Sequence, residues 1–276
     1  MDSIMAHGNL APFIGRQLIQ FLVTSNPTPA YVSRVSAAFN AGRFTDSTGS
    51  IGSGQKGDLK AALAAILLDD EARNPQSAEA DTFGKLREPA VFMAGAIRAF
   101  KGVTDGERMG EWNWGGTTGQ PLFNAPSVFN FYPPDFPLRG TSLVGPQFGI
   151  LKPNTALGRI NFVNDLIYWW YNKGNGLAPN AGIENSTGTR IDYSSWEAMI
   201  VDAASDSIKV AAALNDYLVD GRLNASELNN IVLAMNEWKP SDTWLTDSNN
   251  QSNWKRERVK TVIYLILSSP HYQIQR

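Results

Sequence analysis

The sequence predicts a mostly α fold, an irregular helical bundle with long ordered loops that are rich in Gly, Pro and aromatic residues. Apolar residues recur at helical spacing through much of the chain, whereas no segment shows the sustained apolar–polar alternation that is typical of strands. With 276 residues, 43% of them hydrophobic and 18% charged, the chain can bury a sizeable core. We therefore expect a single helical domain over residues 1–276.

Three helices are predicted in the first quarter of the chain, at Pro12–Val23, Ala30–Phe39 and Asp58–Leu68. Asn26-Pro27 and Thr28-Pro29 separate the first two, because a residue that precedes proline avoids the helical region. The 17 residues before the third helix include five Gly and predict a loop. The side chains expected to face inward are Phe13, Ile14, Leu18, Ile19 and Leu22 in the first helix, and Leu59, Leu63, Ile66 and Leu67 in the third.

Two helices are predicted in the centre of the chain, from about Lys85 to Lys101 and from Pro153 to Tyr171, with a long excursion between them. Residues 103–149 show little helical period apart from a short helix at Ser127–Phe131. A loop of this length inside a compact domain is usually functional, or else it packs as an ordered excursion. We therefore expect a site in this excursion.

The C-terminal part, residues 194–276, is predicted to be helical to its end. Asn224 is a good N-cap and Glu227 follows three residues later, which predicts a capping box. The predicted helices are Trp196–Ala204, Ser207–Val219, Ser226–Trp238 and Trp254–Ser268.

The charge balance and the missing cysteines exclude several classes of function. The 24 basic and 26 acidic residues give a net charge of −2, so nothing electrostatic favours nucleic acid or an anionic membrane as partner. The absence of Cys excludes disulfides and thiolate metal sites. No cofactor and no metal site are expected.

No segment of the sequence predicts a membrane span or a secretory signal. The longest candidate, residues 160–171, is interrupted by Asn161, Asn164 and Asp165, and a span needs about 20 apolar residues. The first eight residues lack the basic and apolar regions of a signal peptide.

Histidine is scarce, with only His7 and His271, and both are near a terminus. A Ser-His-Asp triad needs a histidine held between a nucleophile and a carboxylate. Because no Gly-x-Ser-x-Gly motif occurs either, a serine esterase is a distant alternative.

Carboxylates are the remaining acid–base resource, and two of them lie in the long excursion. Glycoside cleavage uses a pair of carboxylates, and Glu111 and Asp135 are the candidate catalytic residues. Indole and phenol rings stack on sugars, while side-chain amides bind hydroxyl groups. The alternative is that these aromatics only close the core over a loop. The candidate substrate-binding residues are Trp112, Trp114, Asn124, Asn130 and Tyr132.

Two other polar groups have a functional and a structural interpretation. Asp69, Asp70 and Glu71 could hold a cation, or Asp69 could cap the following turn. Lys85, Arg87 and Glu88 could bind an anion at a helix start, or tie that helix to a neighbour through a buried Arg–carboxylate pair. The structural interpretation is favoured for both groups.

Five short phrases combine apolar residues with helix stops and turns. They are FLVTSNPTPAY at 21–31, LLDDEAR at 67–73, GKLREP at 84–89, APSVFNFYPPD at 125–135 and YLILSSPHYQIQR at 264–276. With these phrases in this order, the chain resembles the C-terminal half of an uncharacterised bacterial family, domain of unknown function 1800, with landmarks from Phe13 to Arg276. No catalytic residues are established for that family.

The resemblance implies a compartment and possible partners. Family members are usually much longer, which implies that this chain is part of a longer protein whose other half carries a secretory signal. Neighbouring genes often encode a second exported family, so the missing half and that neighbour are candidate partners. We expect an extracytoplasmic hydrolase acting on a glycan, or alternatively a non-enzymatic helical module for surface assembly or polysaccharide binding.

Overall fold

The structure is a computed structural model that describes residues 2–74, 77, 80, 82–109, 113–128, 130–168, 176–241 and 254–276. Helices account for 54% of it, and the strands are pieces of two or three residues. The predicted mostly α fold is therefore confirmed. The chain divides into two compact units, and the single domain expected over residues 1–276 stays a prediction. The first unit comprises Met1–Leu86, Tyr132–Gly149 and Ile274–Arg276, and the second comprises Arg87–Phe131 and Ile150–Gln273.

The first unit contains five helices and two small antiparallel strand pairs within its described residues. The pair β1–β2 forms a short hairpin in the stretch where only a loop was predicted. The pair β3–β6 joins the end of the unit's first segment to its last segment. The elements are α1 (Asp2–Ala6), α2 (Leu10–Leu22), α3 (Pro29–Ala41), β1 (Phe44–Asp46), β2 (Gly49–Ile51), α4 (Leu59–Leu67), α5 (Asp70–Arg73), β3 (Lys85–Leu86) and β6 (Ile274–Gln275).

The second unit contains the remaining helices and one strand pair, β4 with β5. Its described residues include no helix at 127–131, contrary to prediction, and α9 is a single turn instead of the predicted Trp196–Ala204. A short 3-10 turn lies at Glu107–Met109. A second one, Pro146–Ile150, belongs to the first unit except for its last residue. The elements are α6 (Pro89–Ala99), β4 (Val103–Thr104), α7 (Trp114–Thr117), α8 (Pro153–Tyr168), β5 (Thr189–Arg190), α9 (Ser194–Glu197), α10 (Asp206–Val219), α11 (Ala225–Asn236), α12 (Trp254–Ser268) and α13 (Pro270–Gln273).

Local capping explains where several helices begin and end. The Thr28 hydroxyl accepts a hydrogen bond from the Tyr31 amide, and Pro29 occupies the first helical position of α3. Helix α3 ends at Gly42, whose φ of 61° is readily adopted by glycine. The predicted capping box at the start of α11 is confirmed, because the Asn224 and Glu227 side chains each accept the other residue's backbone N–H.

The buried face of α4 differs from the prediction. Leu59, Leu63 and Leu67 were expected to face inward, yet they are 56%, 38% and 51% exposed. The buried face consists instead of Ala61, Ala62, Ala65 and Ile66. Small side chains let a neighbouring helix approach closely, and the Tyr31 hydroxyl of α3 donates to the Ile66 carbonyl oxygen at 2.6 Å. Phe13 and Leu22 of α2 are likewise exposed rather than buried.

Three of the family phrases meet in the first unit. The Thr24 hydroxyl accepts from the Gly84 amide at 2.9 Å, and the Ser25 amide donates to the Gly84 carbonyl oxygen at 3.0 Å. The Gln20 side chain, just before the first phrase, donates to the carbonyl oxygens of Ser25 and Pro134. These contacts give the phrases a structural role, because they connect segments that are far apart in the sequence. They also supply hydrogen-bond partners for buried backbone groups.

The core of the second unit surrounds α12. Buried side chains of α8 and α12 belong to the same apolar cluster as those of α6 and α10. Helix α8 also packs against the short helix α7, and α7 packs against the 3-10 turn that precedes it. A pocket lies beside these elements. The fully buried members of α8 and α12 are Phe162, Val163, Leu166, Ile167, Val259, Val262, Ile263, Ile266 and Leu267.

Candidate functional site

A cavity of about 270 Å³ lies within the second unit. Among the described residues, its lining combines one guanidinium, one carboxyl group, one side-chain amide, one hydroxyl and one indole with two apolar residues. A concave site with a few convergent polar groups and an aromatic wall is the usual form of a small-molecule site. The lining residues are Arg108, Asn113, Trp114, Thr117, Asp165, Leu177 and Ala178.

Arg108 is anchored at the pocket by hydrogen bonds from each of its three nitrogen atoms. Nε donates to the Ala178 carbonyl oxygen at 3.0 Å, and Nη2 donates to that of Pro179 at 2.8 Å. Nη1 donates to Asn113 Oδ1 at 3.2 Å, while Asn113 Nδ2 donates to the Glu107 carbonyl oxygen. The guanidinium therefore has a defined position in the pocket wall.

Trp114 begins the short helix α7 and forms the aromatic wall of the pocket. Its ring meets that of Phe162 edge to face, with 5.7 Å between centroids and 78° between planes. Phe162 is fully buried in the core cluster. The half-buried indole of Trp114 therefore packs against the core on one side and lines the pocket.

Asp165 places a half-buried carboxyl group in the pocket from α8. Burial raises the pKa of Asp165, while a hydrogen bond from Asn164 and the positive charge of Arg108 lower it by a smaller amount. A carboxyl group whose pKa is raised by burial at a cavity is a recognised mark of functional sites.

The predicted site residues fall into three groups. Glu111 and Trp112 lie outside the described residues. Trp114 lines the pocket of the second unit, and Asn124 and Asn130 belong to the same unit without lining that pocket. The assignment of these residues to a substrate stays a prediction.

Asn124 and Asn130 serve turns in the structure. The Asn124 amide donates to the Pro121 carbonyl oxygen, and the Asn130 amide donates to that of Ser127. Asn130 has a φ of 70°, a left-handed conformation in which asparagine is enriched.

Asp135 and Tyr132 belong to the first unit and therefore to a different compact body from Trp114. Asp135 is exposed. Tyr132 is only 6% exposed, and its ring contacts that of Phe21 at 6.4 Å between centroids. Tyr132 is therefore buried in the first unit, and its assignment as a substrate-binding residue stays a prediction.

Arg108, Asn113, Thr117 and Asp165 were not predicted as site residues. One signal was present in the sequence, since Asp165 interrupts the apolar run at 160–171. A carboxyl group within a buried helix is costly unless it is paired or serves a function. The other three have no signal of their own, because only the fold brings residues 108 and 165 to one cavity.

The acidic residues at 69–71 have the structural role. Asp69 accepts two hydrogen bonds from Arg34, at 2.6 and 2.7 Å, and it caps α5 by accepting from the Glu71 amide. Glu71 accepts from the amide and hydroxyl of Thr28. Within the ranges that the structure describes, no group of three or more His, Asp or Glu side chains could hold a metal ion.

Lys85, Arg87 and Glu88 also have structural partners, although neither Arg87 nor Glu88 forms an Arg–carboxylate pair with any described residue. Lys85 donates to the Phe21 carbonyl oxygen. Arg87 lies over the Tyr272 ring at 4.3 Å from its centroid. Glu88 accepts from the Gln120 side chain.

His271 is the histidine that pairs with a carboxylate, at 3.0 Å between its Nε2 and Glu227 Oε1. No serine hydroxyl of the described chain forms a hydrogen bond with its ring. His7 accepts from the Asn9 amide through Nδ1. Neither histidine has the neighbours of a catalytic triad in this part of the chain.

Comparison with known proteins identifies a family. The sequence profile of the family described as protein of unknown function (DUF1800) matches residues 1–274. The chain therefore belongs to this family, as its five phrases indicated. No curated protein and no solved structure matches the chain. None of the helices in the described ranges combines the length and apolar character that a bilayer span requires.

Proposed function

We propose that this member of the uncharacterised DUF1800 family is a helical module that binds a saccharide in the pocket of its second unit. One observation carries the proposal: the indole of Trp114 shares a cavity of about 270 Å³ with the polar side chains of Arg108, Asn113 and Asp165. This volume is just below the roughly 300–1,000 Å³ typical of pockets for drug-sized ligands. The cavity therefore suits a single sugar ring.

The chemistry of the lining fits a sugar better than an apolar ligand. A sugar ring presents C–H groups on its faces and hydroxyl groups at its edges. Trp114 offers an apolar ring face for the former, and the Asp165 carboxyl and Thr117 hydroxyl offer hydrogen-bond partners for the latter. Binding could serve the assembly of a cell surface or the recognition of a polysaccharide.

A glycan hydrolase is the second candidate, and the raised pKa of Asp165 favours it. A general acid must hold its proton near the working pH, which burial of a carboxyl group promotes. Glycoside cleavage also needs a second carboxylate, and Asp165 is the single carboxyl group in the described lining. Glu111 lies two positions before Asn113 in the sequence and is our candidate for the partner.

The family resemblance extends the proposal to a compartment. We propose that the chain acts outside the cytoplasm, with the additional half found in longer family members or a neighbouring exported protein as partner. Fractionation of cells that express the protein, with antibody detection, tests this directly. Recovery in the cytoplasmic fraction alone would contradict it.

Saccharide binding is tested by calorimetry on a panel of oligosaccharides, with Trp114→Leu as the main variant. We expect at least about a tenfold loss of affinity, the equivalent of ~1.4 kcal/mol. Trp196→Leu is the matched control, because Trp196 packs against Tyr217 in the same unit and outside the pocket. Equal losses in both variants, or no binding of any saccharide by the wild type, would refute the proposal.

Hydrolysis is tested separately by release of reducing ends from the same panel. We expect Glu111→Gln and Asp165→Asn to abolish turnover if the pocket is catalytic. Asp135→Asn tests the pair predicted from the sequence. Turnover that survives in all three variants would remove both catalytic assignments.

A further inference from the structure

Arg108 contributes a positive charge to the pocket, and no carboxylate of the described residues pairs with it directly. Within the described part of the chain, no Asp or Glu oxygen lies within 4.0 Å of its guanidinium nitrogens. Asp165 acts on it only through its charge at longer range. The Arg108 guanidinium is therefore a positive charge in the pocket that could pair with an anionic ligand.

The hydrogen bonds of Arg108 leave room for that partner. A guanidinium carries five N–H groups, and three are used by the carbonyl oxygens of Ala178 and Pro179 and by Asn113. One N–H on each of Nη1 and Nη2 forms no hydrogen bond with the described residues. Two N–H groups on the two terminal nitrogens of a guanidinium match the two oxygens of a carboxylate in a bidentate contact.

Asp165 limits the charge of such a ligand. Its carboxyl group lines the same cavity, so an ionised Asp165 repels a doubly charged phosphate more strongly than a singly charged carboxylate. Asp165 can instead accept a hydrogen bond from a sugar hydroxyl. The lining therefore suits a ligand with one negative charge and several hydroxyl groups.

We propose that the saccharide of this pocket is a uronic acid, and that Arg108 binds its carboxylate. This inference rests on the proposed function of the pocket and specifies its ligand. Trp114 then contacts a face of the sugar ring, while Asp165 and Thr117 bind hydroxyl groups. Arg108 is a specificity-determining residue, since a neutral sugar forms the other contacts and lacks the charged one.

The test compares uronic acid oligosaccharides with their methyl esters, which keep the sugar and remove the charge. With the wild-type protein, calorimetry should give at least about a tenfold higher affinity for the acid than for the ester. Added salt should reduce this difference, because screening weakens charge pairs that are not deeply buried. Sulfated and phosphorylated sugars complete the panel.

Arg108→Gln should remove the difference in affinity between the acid and the ester, whatever its effect on binding of the ester itself. Because Arg108 also holds the backbone at 178–179, an unchanged circular dichroism spectrum and an unchanged melting temperature establish that the variant is folded. If it does not fold, Arg108→Lys replaces it, with loss of the bidentate contact as the expected result. Arg98→Gln, an exposed position on α6, is the control for a lost positive charge.

The outcomes separate the two proposals. Equal binding of acid and ester refutes the uronic acid and leaves saccharide binding intact. Tighter binding of sulfated or phosphorylated sugars also refutes it. Absence of binding to every sugar refutes both proposals.

Discussion

Asn26 and Val144 are joined by two hydrogen bonds across 118 positions of sequence. The Asn26 side chain donates to the Val144 carbonyl oxygen at 2.8 Å and accepts from its amide at 2.9 Å. A side-chain amide thereby satisfies both backbone groups of one residue, in the way a neighbouring strand would. This pair ties the SNP portion of the first family phrase to the segment Tyr132–Gly149.

Replacement of Asn26 by Ala should therefore destabilise the protein. Both polar groups of Val144 lose their partner, and we expect a cost of about 1–3 kcal/mol in the free energy of unfolding. Chemical denaturation measures this. Asn40→Ala, at an exposed position of α3, should be neutral or slightly stabilising because alanine favours helix. Equal stability of Asn26→Ala and wild type would show that the pair contributes nothing.

Two adjacent positions of α4 test which face of this helix is buried. Ile66 is fully buried and Leu67 is 51% exposed, although the sequence pattern placed both inward. Ile66→Ala should cost about 2–5 kcal/mol through lost burial and the cavity it leaves. Leu67→Ala should change the unfolding free energy by less than about 0.5 kcal/mol. A larger loss for Leu67→Ala than for Ile66→Ala would restore the face predicted from the sequence.

The positions of several helices along the chain were predictable because their causes are local. Helix α12 spans Trp254–Ser268 as predicted, and the capping box at Asn224 follows from the spacing of two side chains. The buried face of α4 was not predictable in the same way. Four leucine and isoleucine residues recur at helical spacing and predicted a buried apolar face. The alanine-rich side is buried instead, because its small side chains allow another helix to approach closely.

The candidate site was only partly predictable. Trp114 was expected to bind a ligand because indole rings stack on sugars and because it lies in the long excursion at 103–149. Arg108 and Asp165 are 57 positions apart, and no local pattern indicates that they line one cavity. Tyr132 resembles Trp114 in sequence context, yet it is buried in the other unit, so context alone does not separate the two roles.

Phe123 is fully exposed and has a φ of 59°, a left-handed conformation that is costly for an aromatic residue. Phe123→Asn should relieve this strain and raise the unfolding free energy by up to about 1 kcal/mol. Val128→Asn is a matched control, because Val128 is 96% exposed in the same loop and is not among the positions with positive φ. A loss of stability in Phe123→Asn would indicate that the ring makes a stabilising contact.

Asp165 should make stability depend on pH in the sense opposite to most aspartates. Its pKa is raised in the folded protein, chiefly by burial, so folding favours the protonated form. The resulting stabilisation is fully present below the unfolded-state pKa, and it is lost as the pH rises through the folded-state pKa. The stability of Asp165→Asn relative to wild type should therefore increase between acidic and neutral pH, which denaturation at about pH 3 and pH 7 would measure.

Asp206 provides the opposite case in the same unit. Hydrogen bonds from the Lys209 ammonium and from the amides of Asp202 and Val201 lower the pKa of Asp206. Its contribution is present above the unfolded-state pKa and is lost as the pH falls through the folded-state pKa. Asp206→Asn should therefore be less stable than wild type at neutral pH, with a difference that shrinks in acid. Asp165→Asn could instead lose stability relative to wild type as the pH rises, as Asp206→Asn is expected to do. That result would show that the ionised Asp165 carboxylate is stabilised in the folded protein, and it would contradict the role of Asp165 as a general acid in the pocket.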